Sequence, residues 1–321
     1  IYTATDNVDK YYNYVKGTQY TVTDAEMDSL AYIPAENHYM SGNCDKALPG
    51  FRNYIKQFPE GVFVIDAQFY KSECLLAEKN YGEALDGYNF VTSQHRSKFT
   101  EFALLRAAEI HLLSDNCAGA LDNYIRLEQN ADNRLYIQQG RTGQMRCYAK
   151  LGEHGKAYQV SARIIREKQH AEEIITEAYL IMAKSALAMD SMSAAQTYFE
   201  NVLKRTRNEM GAEAKYNLAL IQFEMENYDV AEKEIFELIN DIPTYDYWIA
   251  KAFILLADVY VKTDNIFQAK HTLQSIIDNY EGDDLVIEAR SKLKIIIDQE
   301  KLMEQRKAEE EIELKMRSNG L

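Results

Sequence analysis

The chain has 321 residues, of which 46% are hydrophobic and 27% charged, with only 4 prolines and 14 glycines. Its 36 basic and 50 acidic residues give a formal net charge of −14, which argues against nucleic acid and anionic membrane surfaces as general partners. So few helix breakers, with no Gly/Pro/Ser-rich linker, favour an all-α protein.

The first 24 residues are predicted to form a helix followed by a loop. Val8, Tyr12 and Val15 share one helical face, and residues 17–23 are polar and β-branched. Two interpretations stay open: a remnant of a repeat that begins upstream of Ile1, or a separate N-terminal capping helix. No targeting segment is recognisable at Ile1, so we expect any such segment to be removed or to lie upstream.

A small residue recurs along the rest of the chain every 36 to 38 positions. The markers are Ala47, Ala84, Ala120, Ala157, Ala195, Ala231 and Ala269. A second, mostly small set precedes them by 12 residues: Ala35, Ser72, Ala108, Met145, Ala183, Ala219 and Ala257. Small side chains at both places let two antiparallel helices approach closely, and a mostly bulky residue four positions after each marker fills the remaining gap. Each period therefore predicts one helical hairpin.

The segment from Ala214 to Phe236 shows the pattern best, and at these positions the chain resembles the tetratricopeptide repeat. Tyr81 and Tyr228 take the aromatic position before the second helix, and Pro59 and Pro243 take the closing proline position. The resemblance implies an α-solenoid of about seven hairpins in a right-handed superhelix. The period exceeds the family's usual length of about 34 residues, which predicts longer loops between repeats.

Repeats of this length look like those of bacterial cell-envelope proteins, including the lipoprotein of the outer-membrane assembly machinery and the Tol-system coordinator. Residues 43–91 carry that likeness best. The resemblance implies a periplasmic or cell-envelope location rather than a cytoplasmic one.

The period divides the chain into a series of segments. Seven repeats are predicted at 25–59, 60–98, 99–132, 133–170, 171–208, 209–244 and 245–282, followed by a capping helix at 283–299 and a charged helical tail at 300–321. A single period requires no internal domain boundary. The tail is either a solvated extension or a coiled-coil or docking element, and both interpretations stay open.

Some repeats depart from the pattern. Pro34 and Pro49 predict a short or bent first hairpin. Gly140, Met145 and Ser161 fit their positions poorly, which predicts local loosening or a change of pitch in repeat four. An asparagine at the corner before the second helix is expected to bond local backbone and start that helix, at Asn43, Asn80, Asn116, Asn227 and Asn265.

Motifs for chemistry are missing from the sequence. The six histidines form no HExxH motif, and the chain has neither a glycine-rich phosphate loop nor a nucleophile elbow, so we expect a protein with no enzymatic activity, metal or cofactor. Cys44 and Cys117 share one position of the repeat, and Cys74 and Cys147 share another. Packing explains them better than a zinc or redox site, and whether any pair is oxidised stays open.

The predicted function therefore lies on the concave surface, which in the family is lined by the first helices. The resemblance places three residues of each repeat from the second to the seventh in that groove: Phe69, Glu73 and Leu76; Leu105, Glu109 and Leu112; Thr142, Arg146 and Ala149; Leu180, Lys184 and Leu187; Tyr216, Leu220 and Phe223; Ile254, Asp258 and Val261. The middle residues change from acidic to basic, so the groove should change sign. It would bind an extended or helical peptide, or else be a solvated face of alternating charge without a ligand.

We expect a scaffold that binds a protein or peptide. The alternatives are a regulatory module of a larger enzyme or signalling protein, and a glycan-binding protein, which is disfavoured because the groove lacks amides. Trp248 in the loop region before repeat seven could pack on the preceding hairpin or anchor a partner. The oligomeric state cannot be deduced from these features.

Overall fold

The computed structural model describes residues 23–167, 169–242 and 245–318. These residues form helices and no strand; the helices are α1 (Asp24–Met40), α2 (Cys44–Gln57), α3 (Val64–Ala77), α4 (Tyr81–Ser93), α5 (Thr100–Leu113), α6 (Cys117–Asn130), α7 (Arg134–Lys150), α8 (His154–Glu167), α9 (Glu172–Ala188), α10 (Met192–Leu203), α11 (Glu209–Glu224), α12 (Tyr228–Asp241), α13 (Asp246–Lys262), α14 (Ile266–Asn279) and α15 (Asp283–Ser318). The predicted helix at Val8–Val15 and the proline at position 243 lie outside the described residues.

The small residues that mark the period lie where two helices of a hairpin meet. All seven marker alanines, Ala47, Ala84, Ala120, Ala157, Ala195, Ala231 and Ala269, are fully buried. Among the bulky residues four positions later, Phe51, Tyr88 and Phe199 are also fully buried. The prediction of an all-α fold built from helical hairpins is confirmed, because the alternation of small and large side chains is what closely packed helix pairs require.

The chain divides into two compact units, residues 1–160 and 161–321, where the single period predicts no internal boundary. In the first unit, α1 pairs with α2, α3 with α4 and α5 with α6, and α7 packs against α6. In the second, α9 pairs with α10, α11 with α12 and α13 with α14, and α15 packs against α14. The division falls within α8, in the predicted repeat four.

Each hairpin turns at a residue in the left-handed backbone region, which the sequence pattern did not predict. The residue just before the corner position of the second helix has positive φ in every repeat: Gly42, Lys79, Asp115, Gly152, Asp190, Glu226 and Asp264. Their φ values lie between 57° and 74°. Only two of these residues are glycine, so five of the turns place a side chain in a conformation that L-residues disfavour.

Replacing Glu226 with glycine should therefore stabilise the protein. A glutamate at φ 61° costs about 1 kcal/mol of stability relative to glycine. Its side chain is longer than that of aspartate and less suited to the local hydrogen bonds that make this conformation tolerable. We expect E226G to raise the midpoint of urea denaturation, measured by circular dichroism. The matched control is G42A at φ 74°, which should lower the midpoint by a similar amount. Equal midpoints for E226G and wild type would contradict the prediction.

The corner asparagines cap their helices in only some repeats. The side chains of Asn43 and Asn116 accept hydrogen bonds from the backbone N–H groups of Lys46 and Gly119, as expected of capping residues. At the other three predicted corners, Asn80, Asn227 and Asn265, the side chain makes no such bond. The Asn80 amide instead donates to Glu83 at 3.1 Å. Asparagine at this position therefore caps the backbone in some repeats and bonds a neighbouring side chain in another.

Helix lengths and close contacts bear on the two irregular repeats. Of the two forms predicted for the first hairpin, short or bent, the short form is wrong, since α1 runs for 17 residues through Pro34 and α2 for 14 through Pro49. In repeat four, Gly140 and Gly143 bring α7 close to α6: a Cβ at Gly140 would lie 2.8 Å from the Tyr124 carbonyl oxygen, and one at Gly143 would lie 2.4 Å from the Tyr124 ring. The predicted loosening is thus wrong for this contact, since glycine is there to permit a closer approach.

The predicted capping helix and charged tail form one continuous helix, α15. Leu285, Ala289 and Ile296 are buried and belong to the core shared with α13 and α14. Residues 301–312 are all exposed. The first part of α15 therefore covers the last hairpin, and the second part is a solvated extension of the same helix.

Candidate interaction surface

The surface predicted from the sequence is formed by the first helices of the hairpins. In the first unit these are α3, α5 and α7, and in the second unit α9, α11 and α13. The predicted residues fall into three groups. Phe69, Leu180, Tyr216 and Ile254 are buried, Leu112, Arg146 and Lys184 are exposed, and Glu73, Leu76, Leu105, Glu109, Leu187, Leu220, Phe223 and Asp258 are half-buried.

The buried group corrects the prediction for the first residue of four groove triplets, which is covered rather than open to a ligand. Phe69 is 6% exposed, and its ring stacks on Phe99 at 4.3 Å between centroids. Tyr216 is 9% exposed and lies 5.6 Å from the ring of Trp248. Because the start of the next first helix covers this position, its side chain fills the space between neighbouring hairpins.

Most of the central charged residues pair with an opposite charge on the next first helix or, after α13, on α15. Glu73 lies 3.4 Å from the Arg106 guanidinium, Lys184 lies 2.7 Å from Glu213, and Asp258 lies 2.8 Å from Lys292. These residues are partners across successive repeats. The alternating charges that were predicted to read a ligand are therefore in part occupied by each other.

Glu73 is additionally held by the core. The Tyr88 hydroxyl, from α4, donates a hydrogen bond to the Glu73 carboxylate. Burial and this hydrogen bond raise the pKa of Tyr88 well above its ordinary value, so the phenol remains a donor throughout the physiological range. Glu73 is thus held beside Arg106, whose guanidinium also contacts Glu109 at 2.9 Å.

One stripe of α5 remains open. Phe102, Leu105, Glu109 and Leu112 follow at spacings of three and four residues, which places them on one helical face. Phe102 is 47% exposed and Leu112 is 41% exposed, while Leu105 is half-buried. The ring of Phe102 also meets Tyr136 of α7 edge-on at 5.3 Å. We call these four residues of α5 together with Tyr136 the α5 stripe.

Phe102 and Tyr136 were missed at the sequence level. Phe102 precedes Leu105 by three residues, so extending the helical periodicity by one turn toward the N-terminus identifies it. Tyr136 has no comparable signal, because its contact with Phe102 depends on how α7 is placed beside α5.

In the second unit the corresponding face is more fully packed. Leu187, Leu220 and Phe223 are half-buried against the hydrophobic cores of their hairpins. Trp248 packs on Tyr216, and Lys251 lies over the Trp248 ring at 5.5 Å. This contact agrees with the packing interpretation of Trp248.

The oxidation state of one cysteine pair is visible in the structure. Cys44 at the start of α2 and Cys74 in α3 form a disulfide with a Cα–Cα distance of 5.4 Å. Cys117 and Cys147 are free and buried. The second pair is packed in a hydrophobic cluster, as the repeat pattern favoured, whereas the first pair is a covalent link between successive hairpins.

Two features are absent from the residues that the structure describes. No group of three or more His, Cys, Asp or Glu side chains is arranged there to hold a metal ion. None of the helices in these ranges combines the length and the apolar character needed to cross a membrane.

Comparison with protein families identifies the repeats. Two models of the tetratricopeptide repeat match the chain, at residues 182–243 and 247–282. The chain carries tetratricopeptide repeats. The matched segments lie in the second unit, and the same period of buried alanines continues through the first. The presence of these repeats supports the interpretation of the chain as a protein–protein interaction module. Proteins with this fold are typically scaffolds without enzymatic activity.

Solved structures of other helical-repeat proteins are also similar. A tetratricopeptide repeat protein from Parabacteroides merdae is 13% identical over 84% of this chain and 98% of its own, with a TM-score of 0.44. PilF of Pseudomonas aeruginosa is 15% identical over 71% of this chain and 97% of its own, with a TM-score of 0.48. Naa15/Naa10 bound to HypK-THB is 12% identical over 84% of this chain and 39% of that one, with a TM-score of 0.48. No curated protein matches the chain.

Proposed function

We propose that the first unit binds a segment of a partner protein along the α5 stripe. The segment carries apolar side chains that cover Phe102, Leu105 and Leu112, with a basic side chain between them that faces Glu109. The observation that carries the proposal is the exposure of two large apolar side chains, Phe102 and Leu112, on either side of a carboxylate. Exposed apolar surface of this kind next to a charged group is typical of a protein-binding patch.

The local charge favours a basic side chain in the partner. The carboxylates of Glu73 and Glu109 share the single guanidinium of Arg106, which leaves the three groups with one net negative charge. The Glu109 side chain is 44% exposed, so a cation from the partner can reach it. The overall charge of −14 also favours encounter with a basic segment.

Arg146 gives the surface a direction. It is exposed on α7, beyond Tyr136 along the helix, and carries the charge opposite to Glu109. A bound segment with a basic residue toward α5 and an acidic residue toward α7 would have its polarity fixed by the two charges, while its apolar side chains supply the burial. This is the change of sign that the sequence predicts for the groove.

The face of the second unit is better described by the other interpretation, a solvated surface without a peptide. Lys184 and Asp258 have partners in Glu213 and Lys292, and Tyr216 and Ile254 are buried. A reversal of Lys184 to Glu would place two carboxylates side by side. A loss of binding in that variant would not separate recognition from local repulsion. A reversal of the charge that the bound peptide carries does separate them, also at Glu109, which has Arg106 beside it.

The disulfide supports a location in an oxidising compartment. Disulfides persist outside the reducing cytoplasm, and Cys44–Cys74 links two helices of the first unit. We propose the bacterial periplasm or cell envelope, the location implied by the resemblance of residues 43–91.

The test is to select binders of the 321-residue chain from an unbiased displayed peptide library. Wild type should enrich apolar sequences with a basic residue, and E109K should enrich an acidic residue at the same position. D122K is the matched control, because Asp122 lies on the second helix of the same hairpin with a side chain 72% exposed. It should keep the wild-type preference. L112A should lower the affinity for an enriched peptide about tenfold. Enrichment that is unaltered in E109K would contradict the proposed site.

A further inference from the structure

The two cysteine pairs of the first unit occupy equivalent places, two repeats apart. The disulfide joins Cys44 to Cys74 across a sequence separation of 30 residues. Cys117 and Cys147 are separated by the same 30 residues, and each lies 73 positions beyond its counterpart. Both thiols of the second pair are buried, at 4% and 1% exposure.

The local backbone around the first cysteine of each pair is the same. Cys44 and Cys117 are each the first residue of a second helix, α2 and α6. Each follows a capping asparagine whose side-chain oxygen accepts a backbone N–H, at 3.2 Å from Lys46 in one case and 2.9 Å from Gly119 in the other. The Cα–Cβ bonds of the two cysteines therefore have the same direction relative to their helices.

The second cysteine of each pair also has the same register. Cys74 and Cys147 each lie three residues before the end of a first helix, α3 and α7. The carbonyl of Cys74 accepts the N–H of the helix-ending Glu78 at 3.1 Å, and that of Cys147 accepts the N–H of Leu151 at 2.9 Å. α2 packs on α3, and α6 packs on α7. Because both ends match, the geometry that accommodates one cross-link recurs at the other.

We propose that Cys117 and Cys147 form a second disulfide, which links the hairpin of α5 and α6 to α7 as Cys44–Cys74 links the hairpin of α1 and α2 to α3. Both thiols belong to one buried hydrophobic cluster, between α6 and α7. The pair has no third metal ligand, since no group of three His, Cys, Asp or Glu side chains is found in the part of the chain that the structure describes. A buried dithiol without such a ligand is suited to oxidation rather than to metal binding.

The reaction is thiol–disulfide exchange with a small disulfide such as oxidised glutathione. One cysteine, as its thiolate, attacks the oxidant, forms a mixed disulfide and releases one glutathione thiolate. The other then attacks the protein sulfur, forms the Cys117–Cys147 bond and releases the second glutathione. The two protein S–H bonds give up their protons to solvent, and the two electrons reduce the oxidant. Burial raises the pKa of the Cys147 thiol to about 12, so the exchange should be slow at neutral pH and faster as pH rises.

The experiment uses the 321-residue chain carrying C44S/C74S, in which Cys117 and Cys147 are the remaining cysteines. After exposure to oxidised glutathione and alkylation of residual thiols in denaturant, peptide mass spectrometry should find Cys117 joined to Cys147. The oxidised variant should melt higher than its reduced form by roughly 5 to 10 °C, because the bond closes a loop of 30 residues. C44S/C74S/C147S should stop at a mixed disulfide of Cys117 with glutathione.

If the variant does not fold, the wild-type protein provides the same test. The number of its free thiols, counted in denaturant, should fall from two to none on exposure to oxidised glutathione. Two thiols that stay fully alkylated after oxidation under native conditions, or a Cys117–glutathione adduct that never resolves in the presence of Cys147, would overturn the proposal.

Discussion

Replacing Glu128 with alanine is expected to lower the free energy of unfolding by about 3–5 kcal/mol. Glu128 of α6 accepts from the Arg141 guanidinium of α7 at 2.8 Å, and the two side chains are only 11% and 7% exposed. Its second oxygen accepts from the Gln144 amide at 2.7 Å. Removing the carboxylate takes the Glu128 ion-pair partner from a guanidinium in a place that water scarcely reaches, and the resulting loss of stability exceeds the net contribution of the ion pair itself.

Urea denaturation followed by circular dichroism measures this effect. D122A is the matched control: it removes a carboxylate from the same helix, but one that is 72% exposed and 3.8 Å from Arg126, so it should change stability by no more than about 0.5 kcal/mol. Replacing both members of the pair, as E128L/R141M, should recover much of the loss because no buried charge is left alone. Equal stability of E128A and D122A would show that the pair is solvated in solution.

The hairpins could be predicted from the sequence because their requirement is steric and local. A residue such as Ala231, fully buried between two helices, must be small wherever the same helix pair recurs, so the constraint is visible in the residue type alone. The left-handed turns were not predicted for the opposite reason. Lys79 and Glu226 adopt positive φ although their side chains do not favour it, and only Gly42 and Gly152 show the constraint.

The surface was less predictable because its residues depend on neighbours in other repeats. Phe69 occupies a position that the family's pattern assigns to the groove, yet the ring of Phe99 covers it. Whether Glu73 is available to a partner depends on Arg106, which lies 33 residues away along the chain and belongs to the next first helix. Single positions in a repeat cannot show such contacts, because they depend on which residue the adjacent repeat happens to carry.

The cysteines show the same distinction within one pattern. Their positions in the repeat are evident from the sequence, but the pairing of Cys44 with Cys74 depends on a helix start and a helix end from successive hairpins meeting at a Cα–Cα distance of 5.4 Å. That distance lies in the range that a disulfide spans. The repeat period gives the number of residues between the two cysteines, but it does not give the distance between them in space.

Removing this disulfide is expected to have the second large effect on stability. C44S/C74S should lower the free energy of unfolding by about 3–4 kcal/mol, because the bond closes a loop of 30 residues and so restricts the unfolded chain. The replacement changes both cysteines so that no unpaired thiol remains at this site. Urea denaturation in a C117S/C147S background isolates the effect from any exchange with the second pair.

A reductant provides the control for this prediction within one protein. In the C117S/C147S background, a thiol reductant should lower stability by the amount that C44S/C74S does, while the variant lacking all four cysteines should not respond to it. If the reductant and the double replacement gave different losses, the serines themselves would account for the difference, since Cys74 is fully buried and a hydroxyl there has to find a hydrogen-bond partner. No loss with either treatment would mean that the linked hairpins are held together by packing alone, for which the contact of α2 with α3 is the structural basis.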